Sequence, residues 1–520
     1  MAGRAAVERS QRPHPYWVIA ILAIGVTGAA VPAFALPLIG PQLSTVAGLS
    51  GTQLGFVAGA SGLGLTVAML PGGYLSDRVG SRRAFRLGAV VACLGAAGAA
   101  WPAFGSLMAG MFLVGIGTAI LGISAMATVA GTIPGEKVRA YAAFGVAGAI
   151  LGGLMSLAIG LVADQGRVAA TTLMGVPLAL IAAVFAKPGS AGRDRSPGRG
   201  DRRWDPAGTV LAALTAGSLF AGVNLVIRGN PWPVGVTLLI AGAAFAAVLV
   251  VWERRQPDPL FDSRLLRQRR FLILITIGGL ASLGTGGAFT LAAQYAQLVL
   301  KASVTGVALL VLPTAALGAI AALISPSLLH WWGARALVGG ALVLAASVCV
   351  AVVATMTSGF SGIFLIGVSV VTFALGLISA PLRALVADSQ GASEIGRAFG
   401  LYATFRRFAT VIGTALVIQT FVSTLPRELH ESLSAIGLDS AADMGVETVG
   451  QAQSMRQQMA AQLSPEQLDA YVAAQDHAFT AAQRHGLAIA AGSLVLAALL
   501  SAFLPSRRRN LPDGEVPPSP

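Results

Sequence analysis

Uninterrupted apolar runs of about 20 residues recur along nearly the whole chain, and that repetition constrains the fold more than any other feature. Wound as an α-helix, a run of that length crosses the ~30 Å hydrocarbon core of a bilayer with its backbone N–H and C=O groups bonded inside the segment. Between charged or Pro/Gly-bearing breaks, fourteen candidate spans can be read: 16–38, 53–72, 85–101, 106–130, 140–163, 169–186, 206–227, 233–252, 271–293, 305–328, 336–356, 361–382, 400–422 and 486–504. Only 11% of the 520 residues are charged, against 55% hydrophobic, whereas charges approach a quarter of an ordinary soluble chain. The chain reads as an all-α polytopic membrane protein.

The net charge of +13 would suggest nucleic acid in a soluble protein, but here the cations sort by side of the membrane. With the N-terminus inside, 29 Lys and Arg fall in inner segments and six in outer ones. That asymmetry sets the orientation, with both termini cytoplasmic and the spans in a cell membrane, and it removes the nucleic-acid reading. The seven tryptophans agree, since Trp17, Trp101, Trp204, Trp232, Trp252, Trp331 and Trp332 all lie at or just beyond span ends, where an amphipathic ring prefers to sit. Arg4, Arg9 and Arg12 precede a first run too long for a signal-peptide core, so it reads as a retained span. Cys93 and Cys349 fall inside apolar runs, where a small hydrophobe is wanted and a disulfide is not.

Residues 188–205, PGSAGRDRSPGRGDRRWD, are rich in Pro, Gly and Arg and form a natural boundary after six spans. The one large outer segment, 424–485, carries three arginines and eight acids. Within it Ser464-Pro-Glu-Gln467 has the form of an N-cap, a first-turn proline and a capping-box glutamine, which predicts a helix running to about Arg484.

Between spans 2 and 3 stands PGGYLSDRVGSRR, with Gly73, Asp77, Arg78, Gly80, Arg82 and Arg83. This segment resembles the inner-face signature of the major facilitator superfamily. An ordinary positive-inside loop would explain its arginines but not its Gly/Asp/Gly spacing. Gly73 would let helices approach, Gly80 would permit a tight turn, and Asp77 would meet a helix N-terminus or an arginine. A decayed second copy follows span 10, where Gly333-Ala-Arg335 aligns with Gly80-Ser-Arg82 and His330 takes the place of Asp77. The span count, Ala35-Leu-Pro37, WDPAG at 204–208, PDPLFDSRLLRQRRF at 257–271 and AQYAQLVLKASVTGVALLVLP at 293–313 resemble the drug:proton antiporter family with fourteen spans.

The resemblance implies a major facilitator fold with 14 transmembrane helices, arranged as two six-helix bundles plus an inserted pair. The expected segments are a cytoplasmic N-terminus (1–15), a first bundle (16–187), a cytoplasmic linker (188–205), the inserted pair (206–252), a second bundle (253–505, including 424–485) and a cytoplasmic tail (506–520). The implied function is secondary active export of hydrophobic or amphiphilic small molecules by alternating access, in a monomer embedded in lipid, linked to protons. Yet the relatives' span 1 aspartate aligns with Gly28, their span 4 arginine and glutamine with Met111 and Val114, and the proline of their span 5 motif with Ala149. None of the spans has an Asp or Glu near its centre. An uncoupled facilitator, or a membrane sensor or scaffold derived from a carrier, is the alternative.

Gly148, Gly152 and Gly153 in span 5 are expected to pack helices, as are Gly115 and Gly117 in span 4. Candidates for the cavity are Thr285, Thr290, Gln294, Tyr295 and Gln297 on span 9, with Arg406 and Arg407 on span 13. Those two arginines and Arg383 would either snorkel to headgroups or line an anion-attracting mouth. No Walker lysine, metal-ligand cluster or nucleophile–base pair is present, so no catalytic residue, metal or cofactor is expected and the chain does not read as an enzyme.

Overall fold

The structure, a computed structural model, describes residues 14–133, 135–186, 205–228, 232–256, 263–298, 304–355, 361–389, 394–436 and 449–504. Among the described residues it is all helix. The first half comprises α1 (Pro15–Ala47), α2 (Gly51–Val79), α3 (Ser81–Ala99), α4 (Phe104–Ala130), α5 (Lys137–Ala163), α6 (Val168–Leu173) and α7 (Val176–Phe185). Next come α8 (Pro206–Arg228), α9 (Trp232–Glu253) and the short α10 (Ser263–Arg267). The second half comprises α11 (Arg269–Leu298), α12 (Val304–Thr355), α13 (Ser361–Ala387), α14 (Ile395–Ser434), α15 (Val449–Ala460) and α16 (Pro465–Ser501).

Eleven helical segments among the described residues are long and apolar enough to cross a membrane, against fourteen read from the sequence. The difference has local causes. Candidate spans 305–328 and 336–356 are joined in α12, which is broken only by the non-helical backbone of Gly333 (φ 76°, ψ 168°). In α3 the apolar run is diluted by Arg82, Arg83 and Arg86 in its first two turns. In α11 the side chains from Phe289 onward lie outside the described residues.

Helices of each half pack mainly on one another: α2, α3 and α1 surround α4, while α14, α12 and α11 surround the membrane part of α16. Small residues make this possible. A Cβ on Gly115 would collide with the Ser61 carbonyl of α2, and one on Gly117 would come within 2.6 Å of the Gly88 carbonyl of α3. Both glycines therefore pack helices, as expected. The surface left over is greasy, with Leu94, Ile150, Leu161, Ile240, Val350 and Leu499 all more than 40% exposed, a face suited to acyl chains. Trp17, Trp101 and Trp252 are exposed at helix ends, and Trp331 and Trp332 beside the Gly333 break in α12, as an interfacial belt requires.

Among its described residues, the segment 424–485 proves to be mostly an extension of its neighbours. α14 continues through Pro426 to Ser434, and α16 begins with a complete Ser464/Gln467 capping box and runs without interruption to Ser501. The helix predicted to stop near Arg484 does not stop, because Gly486 alone is too weak a breaker to end it. With α15, these extensions enclose a separate small core around Phe421, Leu425, Leu429, Met455, Tyr471 and Phe479. Arg456 pairs with Asp476 and Gln475 at its edge.

Candidate functional site

The two halves meet mainly through two helix pairs, α2 with α14 and α5 with α12. At the α2/α14 crossing the backbones nearly touch. A Cβ on Gly73 would collide with the Gly396 carbonyl, and one on Gly400 would lie 2.9 Å from the Met69 carbonyl. That approach puts the Asp77 carboxylate on the N-terminus of α14: Oδ1 accepts from Gly396 N–H at 2.8 Å and Oδ2 from Arg397 N–H at 2.9 Å. These are orphan donors at the positive end of a helix dipole, so an anion is stabilised there.

The rest of the loop is built around that clamp. Arg78 Nη1 donates to the Tyr74 hydroxyl at 3.2 Å, and the Arg397 guanidinium lies over the Tyr74 ring at 5.2 Å. Gly80 has φ 90°, a conformation costly for any residue with a Cβ, and it is the C-cap of α2 and the N-cap of α3. Arg82 is half-buried and Arg83 exposed. Arg86 donates from Nε to the Ala183 carbonyl at 2.8 Å, near the end of α7. A neighbouring cross-half link is the Lys137–Asp388 ion pair at 2.6 Å, between the start of α5 and the residue after α13.

The second, decayed copy keeps the backbone and loses the acid. Gly333 again has positive φ, and Arg335 Nε donates to the Leu504 carbonyl at 2.8 Å, at the end of α16, as Arg86 does at the end of α7. His330, at the position of Asp77, is exposed beside the two tryptophans.

The other pair, α5/α12, closes differently. Thr305 Oγ1 donates to Asp164 Oδ2 at 2.5 Å at the far end of α5. Of the three span 5 glycines, only Gly153 packs tightly, with a Cβ there 3.1 Å from Ala315. Gly148 and Gly152 depart from the close-packing role expected of them: a Cβ on either would meet nothing within 4 Å.

Among the cavity candidates, Thr285 Oγ1 donates back to the Ala281 carbonyl of its own helix at 2.9 Å. Its side chain borders a small apolar void with Cys349, Val368 and Leu487. The side chains of Thr290, Gln294, Tyr295 and Gln297 lie outside the described residues, although α11 runs through them. Arg406 and Arg407 stand three turns into α14, about 16–18 Å along it at ~1.5 Å per residue. They do not snorkel outward. Arg406 donates from Nε to Ser282 Oγ of α11 at 2.9 Å and lies over the Tyr402 ring, while Arg407 turns to the opposite side, over Phe220 of α8 and against Gly62 of α2. Neighbouring residues on a helix are about 100° apart, which is why one arginine serves the second half and the other reaches the first. Arg383 on α13 lies within electrostatic reach of Arg406, Tyr402 and Tyr141. Tyr141, Tyr402, Ser282 and Lys137 could not be singled out from sequence, because their partners lie on helices distant in the chain.

The positions that the resemblance aligns with coupling residues are filled by packing. A Cβ on Gly28 would lie 2.7 Å from the Gly175 carbonyl, so no carboxylate fits there. Met111 and Val114 are both fully buried, Met111 in the apolar core between α1, α2 and α4 and Val114 where α4 meets Gly95 of α3.

Two helical halves joined by a clamp, glycine-lined crossings and an apolar belt define a membrane carrier protein. The chain belongs to the Major Facilitator Superfamily, whose family profile matches residues 16–414. It is similar to the puromycin resistance protein pur8 of Streptomyces alboniger, with 32% identity over 355 residues covering 64% of this chain and 67% of that one. It is also similar to the methyl viologen resistance protein SmvA of Salmonella typhimurium, 25% identical over 494 residues, 92% of this chain and 95% of that one. Among solved structures, the human organic anion transporter MFSD10 (TETRAN) superposes with a TM-score of 0.60 at 14% identity, covering 94% of this chain and 100% of that one. At that identity the likeness shows the fold alone.

Proposed function

We propose that the protein is a secondary active exporter of hydrophobic or amphiphilic small molecules, working by alternating access in the cell membrane as a monomer with both termini cytoplasmic. The observation that carries this reading is the Asp77 carboxylate on the N-terminus of α14, a polar clamp between two halves that must part to open one side. Family membership and the resistance proteins among its relatives support the direction of transport. The positive-inside count supports a cytoplasmic position for the clamp.

In this reading the chain crosses the membrane fourteen times. The kink at Gly333 supports it, since the 44-residue apolar segment Leu312–Thr355 would be about 66 Å long if straight, twice the ~30 Å core. The spans group as two six-helix bundles, 16–187 and 253–505, with 206–252 as an inserted pair. The pair has a bridging position: α8 packs on α2 and on α14, and Arg407 meets Phe220 there. Rocking of the bundles would break the clamp of Asp77 and the Lys137–Asp388 pair on one side and the Asp164–Thr305 contact on the other.

Uptake of cationic, anionic and neutral dyes into inside-out vesicles, with and without a pH gradient, tests the reading. Uptake that collapses with the gradient assigns proton coupling, and uptake that survives it assigns an uncoupled facilitator. No movement of any dye, with the protein present in the membrane, would favour the sensor or scaffold alternative.

A further inference from the structure

Helices α2, α4 and α8 enclose a cavity of about 220 Å³ beside the clamp. Val67 of α2, Ile116 and Ile120 of α4 and Ala213 of α8 form its walls, and Tyr74, Arg78 and Thr209 lie toward one end. The walls offer water almost nothing. Thr209 Oγ1 donates to the Asp205 carbonyl at 2.8 Å, and the Asp205 carboxylate is taken up by Gly208 N–H and by Trp252 Nε1–H of α9. An apolar space without polar partners stays dry, and one of about 150 Å³ already takes up benzene. The four wall residues are themselves only half-buried. Leu113, on the Ile116 face of α4, and Val210 and Leu214, next to Thr209 and Ala213 on α8, are exposed. The cavity therefore opens among side chains suited to the acyl region of a bilayer.

Its length and its charge both fit a lipid. From Val67 to Arg78 it follows about 16 Å of α2, at ~1.5 Å per residue, close to the ~15 Å depth of one leaflet in a ~30 Å core. Only the Arg78 end is cationic. There Arg78 Nη1 donates to the Tyr74 hydroxyl at 3.2 Å, and the Tyr74 ring lies 5.2 Å from the guanidinium of Arg397, whose N–H holds Asp77. A guanidinium recognises phosphate through charge-assisted hydrogen bonds. A soluble anion matches the charged end alone and a neutral hydrocarbon the walls alone, whereas a phospholipid matches both.

We propose that this cavity is a lipid site, seating one acyl chain of an anionic glycerophospholipid from the leaflet beside the clamp, with the lipid phosphate on Arg78. The cytoplasmic position proposed for the clamp agrees, since that leaflet carries the anionic lipids. The site itself requires a bilayer and does not depend on transport.

The test uses the full chain in phosphatidylcholine nanodiscs, doped with phosphatidylglycerol or phosphatidylcholine that carries a diazirine on one acyl chain, and maps the photolabelled residues by mass spectrometry. Relative to the exposed belt at Ile150 and Ile240, phosphatidylglycerol should label residues 67–75, 116–120 and 209–213 about fivefold more than phosphatidylcholine does. Arg78→Gln should bring the two lipids level, and Arg78→Lys should keep part of the preference. Ala213→Phe fills the cavity from α8 and leaves every charge in place. It should lower labelling by both lipids, which keeps the test decisive where an Arg78 variant does not fold. Equal labelling by the two lipids in the wild type would overturn the proposal, as would a preference that Arg78→Gln leaves intact. Displacement of the label by a dye that the protein transports would assign the cavity to the carried molecule and overturn it as well. Dye uptake in inside-out vesicles separates this site from the carrier reading. Labelling that depends on Arg78, with no dye moved, keeps the lipid site and overturns the carrier; uptake with equal labelling by the two lipids does the reverse.

Discussion

Asp77 accepts a 2.8 Å hydrogen bond from the backbone N–H of Gly396, 319 residues further along the chain, and through it α2 is pinned to the first turn of α14. The second carboxylate oxygen takes Arg397 N–H. A charge at a helix N-terminus is worth up to ~2 kcal/mol when partly buried. Asp77→Asn keeps the shape and removes the charge, so the closed clamp should lose about 1–2 kcal/mol, a shift of roughly 5- to 30-fold in the balance between its states. Vesicle uptake should fall while the amount of protein in the membrane stays constant. Uptake equal to wild type would remove the clamp from the transport cycle.

The same crossing makes a steric prediction. Gly73→Ala should force α2 from α14, because its Cβ would collide with the Gly396 carbonyl, whereas Gly148→Ala and Gly152→Ala meet nothing within 4 Å. The first should lower both uptake and thermal stability, with a cost of about 1–3 kcal/mol as in other overpacked contacts. The other two should leave stability within about 0.5 kcal/mol of wild type. Thermal unfolding monitored in detergent would distinguish them.

Lys137 and Asp388 are a more modest link. Their side chains are 32% and 56% exposed, so solvent screens the pair and the coupling should not exceed about 1 kcal/mol. A double-mutant cycle with Lys137→Gln and Asp388→Asn, read as uptake rate, should give an interaction of at most about fivefold. A hundredfold effect would mean that the pair carries the gate by itself.

Gly80 and Gly333 share a positive φ at equivalent turns. Replacing either by alanine should destabilise the protein by about 1–3 kcal/mol, because a positive φ with extended ψ is open to little but glycine. Gly59, helical and with open space around it, is the control, and alanine there should stabilise slightly. The comparison can be made by thermal melts of the three variants.

At the start of α16, Ser464 Oγ accepts from Gln467 N–H, and Gln467 Oε1 accepts from Ser464 N–H. Ser464→Ala should cost about 1 kcal/mol of local helix stability. Hydrogen exchange should rise in residues 465–470 and remain unchanged in the membrane part of the helix.

Much of this was legible in one dimension because a bilayer makes strict demands. Length and apolarity alone mark most crossing helices, and the glycine at position 80 announces its turn. The capping box at Ser464 was also readable, since its partners are three residues apart. The sequence could not place Arg406 and Arg407. A charge three turns inside a span can reach outward or inward, and only the positions of Ser282 and Phe220 on other helices decide between them.

What the sequence by itself determined is therefore the helical membrane class, the two related turns and the absence of a mid-span carboxylate, each a property of local composition or spacing. Tertiary structure alone decided which helix end Asp77 holds, that Gly28 has no room for an acid, and that Arg406 and Arg407 turn to opposite partners on α11 and α8. Those facts depend on the distance between helices far apart in the chain, and such distances are set by packing across the whole bundle.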